Sequence, residues 1–503
     1  MAGIFGQTLR RQGEVDRVEG HCTPAKCQFP AGLVAVFGFL ALSLAALPGA
    51  VAAAELQATG PRPEIRFVLP VGETDREEDE IDGTSVDNQG NTIIAGVFYD
   101  EVRLAGKMYR SRGAGDIFLA SIAPNGAYRW VRQFGAGADD NAYDVTTDAA
   151  GNIYMSGWFS RQVDFGGTTL RARGGTDMFV AKYTSAGQLI WARAFGGAAG
   201  DGGNEISVTD AGEIAVSAIT GGDFTADGRT YRFGGGGRDS LVVRMTTAGQ
   251  IRWITPIAGP GMERIRAIEL AESGDVYLGF QYRGSVTMGG LRVSAVGDWD
   301  GAMARIRPDG RPAWLKNVGA GGLDNLRGIG VAPDGSVYGS GVLSGNGTVL
   351  DRRVTGITGN TDYVVRVGSD GRVAWMMLFQ GARNASGAEL VVDAKGVILS
   401  GLLVGGVEVR RDGRAVATIR PPNRLPTAYL AAFTHQGALR FAYTPTPAAR
   451  GSRGNGAVLA VSRNGRWLAQ SIRFRGAVDV AGRRVTGPSR KDSAILLMQL
   501  NGA

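Results

Sequence analysis

Residues 148–157 read DAAGNIYMSG, a glycine turn followed by a strand in which apolar residues alternate. The same pattern returns along the chain, from DNQGNTIIAG at residues 87–96 to SRNGRWLAQ at residues 462–470. Its turn glycines are Gly90, Gly151, Gly212, Gly274, Gly335, Gly396 and Gly465. Successive glycines lie 61, 61, 62, 61, 61 and 69 residues apart. So regular a spacing indicates a repeat architecture, and alternating apolar strands favour propeller blades over helical repeats.

Two further markers keep the same spacing inside the units, so the repeat extends over several strands. A Gly/Thr/Asp turn precedes an apolar strand at Asp116, Asp177, Asp239, Asp300, Asp362 and Asp492. A tryptophan lies 21 residues before the next turn glycine at Trp130, Trp191, Trp253, Trp314 and Trp375. We predict that these indoles pack between neighbouring blades, with each N–H finding an acceptor. A stacking platform for sugars is the alternative.

The two ends of the repeat region predict how the ring closes. Each unit reads as four strands, but the last one stops at Ala503, after its third strand. The segment IRFVLPVG, at residues 65–72, resembles the missing fourth strand. We therefore predict an all-β, seven-bladed β-propeller of four-stranded antiparallel blades, closed by the N-terminal strand completing the last blade. Such closure removes the unpaired edge of an open sheet.

Residues 151–159, GNIYMSGWF, and residues 174–197, GGTDMFVAKYTSAGQLIWARAFGG, carry a family resemblance. The chain resembles the bacterial SBBP-type β-propeller repeat proteins in these motifs, and the resemblance covers nearly all of residues 55–503. It implies a propeller fold and an exported or surface-associated protein. It implies no particular activity.

Residues 1–54 are predicted to be an n-region and a secretory signal, and residues 55–503 the propeller. Residues 31–47 are apolar, and Ala52, Ala53 and Ala54 give a small-residue cleavage site. The n-region is long, which an over-extended gene start would explain. An uncleaved anchor is the alternative, since the apolar run approaches the ~20 residues that span a bilayer. Either way we predict export, to the periplasm, the cell surface or the medium. Cleavage after Ala54 would leave no cysteine.

An acidic residue recurs 11 residues before the turn glycine, and the blade order predicts that it approaches the repeated aspartates on one face of the ring. These acids are Asp79, Asp140, Asp201, Glu263 and Asp324. They are interpreted either as turn caps, accepting backbone N–H groups, or as a ring of carboxylates that binds a cation such as calcium. Asp140 and Asp201 are the best metal candidates in this second interpretation. No other cofactor is predicted.

The C-terminal part of the chain is strongly basic. Residues 401–503 contain 16 Lys and Arg against 4 Asp and Glu, whereas the whole chain carries a net charge of +7. The sector proposed to face an anionic partner comprises Arg410, Arg411, Arg414, Arg473, Arg475, Arg483 and Arg484. A protein, an anionic polysaccharide or an envelope surface fits such a sector. Solubility alone is the competing explanation. Nucleic acid is not predicted, because export separates the protein from it.

No arrangement of residues predicts an enzyme. His435 is the only histidine after the signal region, and a lone turn histidine is usually solvated. The spacing of Ala181, Gly187 and Trp191 resembles a docking pattern of quinoprotein dehydrogenase propellers, but blade packing explains it. We therefore predict a binding or scaffold protein that uses one face of the ring, the face carrying the long connections between strands two and three. A self-associating structural envelope protein is the alternative, and a propeller hydrolase or quinone-dependent enzyme is the least favoured.

Overall fold

The computed structural model describes residues 63–71, 80–233, 237–357, 359–381, 389–420, 427–444, 446–447, 453–475, 477–480, 483–486 and 492–500. All of them belong to a compact unit that covers residues 56–503. The predicted signal region and Asp79 lie outside the described residues. Regular structure in the described residues is entirely β-strand. None of these residues forms a helix long and apolar enough to cross a membrane.

The first three blades follow a short N-terminal strand, β1 (Glu64–Val71). Blade one contains β2 (Glu80–Val86), β3 (Thr92–Leu104), β4 (Lys107–Ile122) and β5 (Tyr128–Phe134). Blade two contains β6 (Asn141–Thr147), β7 (Ile153–Asp164), β8 (Thr169–Tyr183) and β9 (Leu189–Phe195). Blade three contains β10 (Asp201–Val208), β11 (Ile214–Thr220), β12 (Phe224–Ala226), β13 (Arg229–Tyr231), β14 (Asp239–Met245) and β15 (Ile251–Ile257).

The remaining four blades repeat this order. Blade four contains β16 (Glu263–Leu270), β17 (Val276–Tyr282), β18 (Ser285–Met288), β19 (Leu291–Ser294), β20 (Asp300–Ile306) and β21 (Pro312–Gly319). Blade five contains β22 (Asn325–Val331), β23 (Val337–Leu343), β24 (Gly347–Val349), β25 (Arg352–Val354), β26 (Thr361–Val367) and β27 (Val373–Gln380). Blade six contains β28 (Glu389–Asp393), β29 (Gly396–Leu403), β30 (Val407–Arg411), β31 (Arg414–Ile419), β32 (Thr427–Thr434) and β33 (Leu439–Tyr443). After β34 (Thr446–Pro447), blade seven contains β35 (Arg453–Val461), β36 (Trp467–Arg475), β37 (Ala477–Val480), β38 (Arg483–Thr486) and β39 (Asp492–Gln499).

The ring closes through its innermost strands and through β1. The first strand of each blade contacts the first strand of the next, in the order β2, β6, β10, β16, β22, β28, β35 and back to β2. Strand β1 pairs antiparallel with β39, with Leu69 opposite Ile495. The seven-bladed propeller and its closure by the N-terminal strand are thereby confirmed. We call the face where the innermost strands begin the start face, and the face with the turn glycines the turn face.

The long connections between strands two and three form hairpins that cover the outer edge of the preceding blade. The hairpin of β24 and β25 adds to β21, and that of β30 and β31 adds to β27, which makes two six-stranded sheets. In blade three the Thr225 carbonyl accepts a hydrogen bond from the Gly196 amide at 3.1 Å. Exposed strand edges promote association with other chains, so these hairpins protect the rim.

The repeated tryptophans join each of blades one to five to the blade that follows it. Every indole Nε1 donates a hydrogen bond to a turn carbonyl of the following blade. The pairs are Trp130 with Ser185 at 3.1 Å, Trp191 with Thr247 at 3.2 Å, Trp253 with Pro308 at 2.9 Å, Trp314 with Ser369 at 3.0 Å and Trp375 with His435 at 3.0 Å. Packing between blades thus also accounts for the spacing of Ala181, Gly187 and Trp191.

Gly187 lies against one of these indoles, and its replacement tests how tightly the blades pack. Its φ is +73°, and a Cβ there would lie 2.9 Å from the Trp130 ring. We expect Gly187→Ala to lower the free energy of unfolding by about 2–4 kcal/mol, from backbone strain and overpacking together. Gly106 has the same φ of +73° with open space around its Cβ position. Gly106→Ala is therefore the control and should cost only about 1 kcal/mol. Equal losses in urea unfolding would show that the indole contact is loose.

Candidate functional site

The structure brings the two predicted acidic series together in pairs. Each acid before an innermost strand interacts with a repeated aspartate of the blade before it. The pairs are Asp140 with Asp116, Asp201 with Asp177, Glu263 with Asp239 and Asp324 with Asp300. All eight side chains are buried.

Most of the carboxylate oxygens in these pairs accept hydrogen bonds from backbone amides. Asp140 accepts hydrogen bonds from the amides of Ser160 at 2.9 Å and Ala136 at 3.3 Å. Asp324 accepts from the amides of Ala320 at 2.6 Å and Ser344 at 2.7 Å. Asp201 accepts from the Gly197 amide at 2.6 Å. Among the described residues, no group of three or more His, Cys, Asp or Glu side chains is arranged to hold a metal ion. The geometry of these acids is that of turn caps.

Glu263 differs from the aspartates at its position. It is fully buried, and neither carboxyl oxygen accepts a hydrogen bond from another residue in the described structure. Burial, with a further contribution from Asp239, raises the pKa of Glu263 to about 8. The longer side chain therefore sits at the cap position as a largely neutral acid at pH 7.

A raised pKa makes stability depend on pH. The folded protein holds the Glu263 proton more tightly than the unfolded chain, so this stabilisation is present at low pH and is lost as pH rises through about 8. We expect Glu263→Gln, an uncharged isostere, to reduce by about 2–3 kcal/mol the stability lost between pH 6 and pH 9. Asp324→Asn is the control, because its oxygens are satisfied; it should destabilise at every pH by about 1–3 kcal/mol. Identical pH profiles for Glu263→Gln and the wild type would refute this role.

The residues of the predicted basic sector lie in two different settings. Arg410, Arg411 and Arg414 belong to the β30–β31 hairpin on the rim, and Arg484 is exposed on β38. Arg473 instead faces the ring axis, where its Nη2 lies 3.4 Å from Glu80 Oε2 and 3.3 Å from Asp82 Oδ1. Arg475 and Arg483 belong to β36 and β38, and their side chains lie outside the described part of the chain. The five arginines of this sector whose side chains the structure describes therefore do not all lie on one surface.

A β-bulge in the innermost strands directs charged side chains toward the axis. The register shifts at the same point in β2, β6, β10, β16, β22 and β35. Bulges leave a residue unpaired and redirect side chains. Asp82, Tyr143, Arg266 and Arg327 occupy this extra position, each eight residues before its turn glycine. These four side chains remain half-buried, as expected for a channel lining.

The axial charge cluster consists of the charged side chains that meet inside the ring. Its carboxylates are Glu80, Asp82, Asp144, Glu205, Glu269 and Glu389. Its guanidinium groups are Arg264, Arg266, Arg327 and Arg473. Interactions cross the full width of the ring: Asp82 of blade one interacts with Arg264 of blade four, and Asp144 of blade two with Glu389 of blade six. In a ring of seven, two blades are at most three positions apart, and both of these pairs lie at that greatest separation. Their side chains can interact only across the central channel, so they face the axis.

Burial raises the pKa of five carboxyl groups in this cluster. Burial raises the pKa of Asp144, Glu269 and Glu389 to about 7 in each case. Burial and the neighbouring Glu80 raise the pKa of Asp82 to about 7. Burial, then repulsion from Asp144 and Glu389, raises the pKa of Glu205 well above its ordinary range. The cluster combines fixed positive charge with adjustable negative charge and could bind an anionic group by hydrogen bonds and ion pairing.

His435, the histidine weighed for catalysis, serves the junction between blades five and six. Its Nδ1 lies 2.8 Å from the Tyr338 hydroxyl, and its Nε2 lies 3.2 Å from the Ala394 carbonyl. A carbonyl only accepts, so Nε2 donates, and in the neutral ring Nδ1 accepts from the Tyr338 hydroxyl. His435 is half-buried, and blades five and six each supply one of these partners.

Comparison with known proteins supports the architecture. Residues 129–158 match the SBBP β-propeller repeat family. The regulatory protein FlaEY of Caulobacter vibrioides is 25% identical over 170 residues, which are 33% of this chain and 18% of that relative. The present chain thus matches less than a fifth of that protein.

Two solved structures match this chain over most of its length. The polysaccharide lyase Uly1 has a TM-score of 0.46 at 9% identity, over 87% of this chain and all of that one. A chain of the mitotic checkpoint complex has a TM-score of 0.41 at 10% identity, over 87% of this chain and 95% of that one. These likenesses carry no information about activity. The protein is a seven-bladed β-propeller, and its residues 129–158 match the SBBP β-propeller repeat.

Proposed function

We propose that this protein is exported and works as a binding or scaffold module, without catalysis. Its partner is a protein or an anionic cell-envelope polymer, engaged through the start face. The observation that carries this proposal is the axial charge cluster, where guanidinium groups from blades four, five and seven point into one channel. The relative from Caulobacter vibrioides is named a regulatory protein, which agrees with a role exercised through binding.

The start-face end of the cluster is accessible to solvent. The side chains of Glu80 and Arg473 are 32% and 38% exposed although they lie within the ring. Arg264 and Arg266 lie near the start of strand β16 and are also half-buried. Guanidinium groups that are partly desolvated and fixed in position bind carboxylate, sulfate or phosphate more strongly than mobile surface arginines do. The channel mouth is therefore a better anion site than the rim.

Binding to immobilised polygalacturonate, measured over a salt series, tests the proposal. We expect the double variant Arg264→Ala/Arg327→Ala to bind about tenfold more weakly, a loss of about 1.4 kcal/mol. The matched control is Arg414→Ala/Arg484→Ala, which removes the same charge from exposed rim positions and should bind within about twofold of the wild type.

Other outcomes assign the binding elsewhere. A larger loss in the rim variant would move the site to the basic hairpins. Absence of binding at low salt would contradict an acidic polysaccharide partner. Sedimentation velocity on the same samples distinguishes the structural alternative, since a self-associating protein would form concentration-dependent oligomers that salt dissociates.

A further inference from the structure

Arg463 connects opposite sides of the ring at the turn face. It belongs to the turn of blade seven, between β35 and β36. Its Nε donates to the Thr147 carbonyl of blade two at 3.1 Å, and its Nη2 to the Val208 carbonyl of blade three at 2.6 Å. Its Nη1 pairs with Asp210 and lies 3.7 Å from Glu272 of blade four.

These contacts span the axis. Blades three and four are each three positions from blade seven, the greatest separation that a ring of seven allows. A side chain that joins them must cross the channel close to its centre. Asp210 and Glu272 strengthen the crossing, because the Asp210 amide also donates to Glu272 Oε1 at 2.6 Å. Next to it, the Asn464 amide donates to Asn88 Oδ1 of blade one at 3.0 Å. The turns of blades seven, one, two, three and four are thus tied together over the axis.

We infer that Arg463 closes the axial channel at the turn face, so that the channel is a pocket entered from the start face alone. Together with the proposed function, on which this step rests, the closed channel specifies how a partner binds. An anionic end group enters the pocket, whereas a polymer chain does not thread through the ring. Ser207 lies just inside the closed end, where its hydroxyl contacts Glu269 at 3.4 Å.

A cysteine reporter tests the closure without knowledge of the partner. The chain has two cysteines, Cys22 and Cys27, so a Cys22→Ser/Cys27→Ser background leaves Ser207→Cys as the only thiol. We expect a bulky maleimide to label this reporter about tenfold faster after Arg463→Ala, because the second opening removes a barrier to access. Arg466→Ala, an exposed arginine of the same turn, should leave the rate unchanged.

A second reporter separates local opening from general loosening. Ser240 is fully buried on β14, outside the turn-face contacts of Arg463. The labelling rate of a Ser240→Cys reporter should therefore not respond to Arg463→Ala. Equal labelling of the Ser207 reporter with and without Arg463 would overturn the closure. Parallel acceleration of both reporters would likewise overturn it, by assigning the effect to unfolding.

The mode of binding has its own readout. Capture of an end group predicts equal affinity per chain for trigalacturonate and long polygalacturonate, whereas affinity that rises with chain length would refute it. Failure of both probes to bind would count against the proposed function, while the labelling result would stand by itself.

Discussion

Phe67→Ala is expected to lower the free energy of unfolding by about 3–5 kcal/mol, the usual cost of removing a buried aromatic ring. Phe67 is only 4% exposed, on β1, and packs in one cluster with Phe118 of blade one and Trp467 of blade seven. The ring is held shut there by hydrogen bonds and packing alone. A cavity at this position therefore weakens the closure of the whole molecule, and the transition in urea should also shift to lower denaturant.

The neighbouring residue provides the control for this substitution. Arg66 is exposed and pairs with Glu64 at the surface, so Arg66→Ala should change the free energy of unfolding by less than about 0.5 kcal/mol. A Phe67→Ala protein as stable as the Arg66→Ala protein would mean that β1 contributes little to closure.

Trp375→Ala should cost about 3–5 kcal/mol as well. This indole is 7% exposed, contacts the Tyr338 ring at a centroid distance of 5.7 Å and donates to the His435 carbonyl at 3.0 Å. Its removal leaves a cavity between blades five and six and takes away one of the two donors to the His435 carbonyl, the other being Arg366 Nη1 at 3.2 Å. We expect the midpoint of thermal unfolding to fall by several degrees, as a loss of this size implies for a large domain.

Trp375→Phe distinguishes the contribution of the apolar ring to stability from that of its hydrogen bond. It keeps most of the apolar volume and removes the Nε1 donor, so it should cost only about 1–2 kcal/mol. Trp191→Ala offers a second comparison, because that indole is half-buried and should cost less than Trp375→Ala. Losses that do not follow burial would show that these tryptophans do not act through packing between blades.

The ring could be predicted from the sequence because its determinants are local and repeated. Gly151 and its equivalents mark a turn in every blade, and Trp191 and its equivalents mark the same contact with the next blade. The N-terminal strand was predictable for the same reason, since its apolar pattern matches the strand that blade seven lacks. A short motif that predicts little by itself predicts the fold strongly when it recurs at a fixed period along the chain.

The axial charge cluster could not be predicted in the same way. A bulge adds one residue to the innermost strand, so strict alternation assigns Asp82 or Arg266 to the wrong side of the sheet. Glu389 and Asp144 meet although they are 245 residues apart in sequence, and no local pattern encodes that meeting. A polar residue at a constant eight positions before the turn glycine was the available signal. The count of C-terminal arginines likewise did not reveal that Arg473 lies at the axis.

The hairpins that cover the rim have a consequence for how the molecule opens. Strands β21 and β27 would be the peripheral strands of ordinary four-stranded blades, but each is hydrogen-bonded on both sides, once to its own sheet and once to the hairpin of the following blade. The hairpins pair with Val318 and Gly319 of β21 and with Met377–Gln380 of β27, so fraying of these segments must detach part of the neighbouring hairpin. We therefore expect the paired segments of blades four, five and six to exchange their amide protons with solvent cooperatively, in a unit larger than a single repeat.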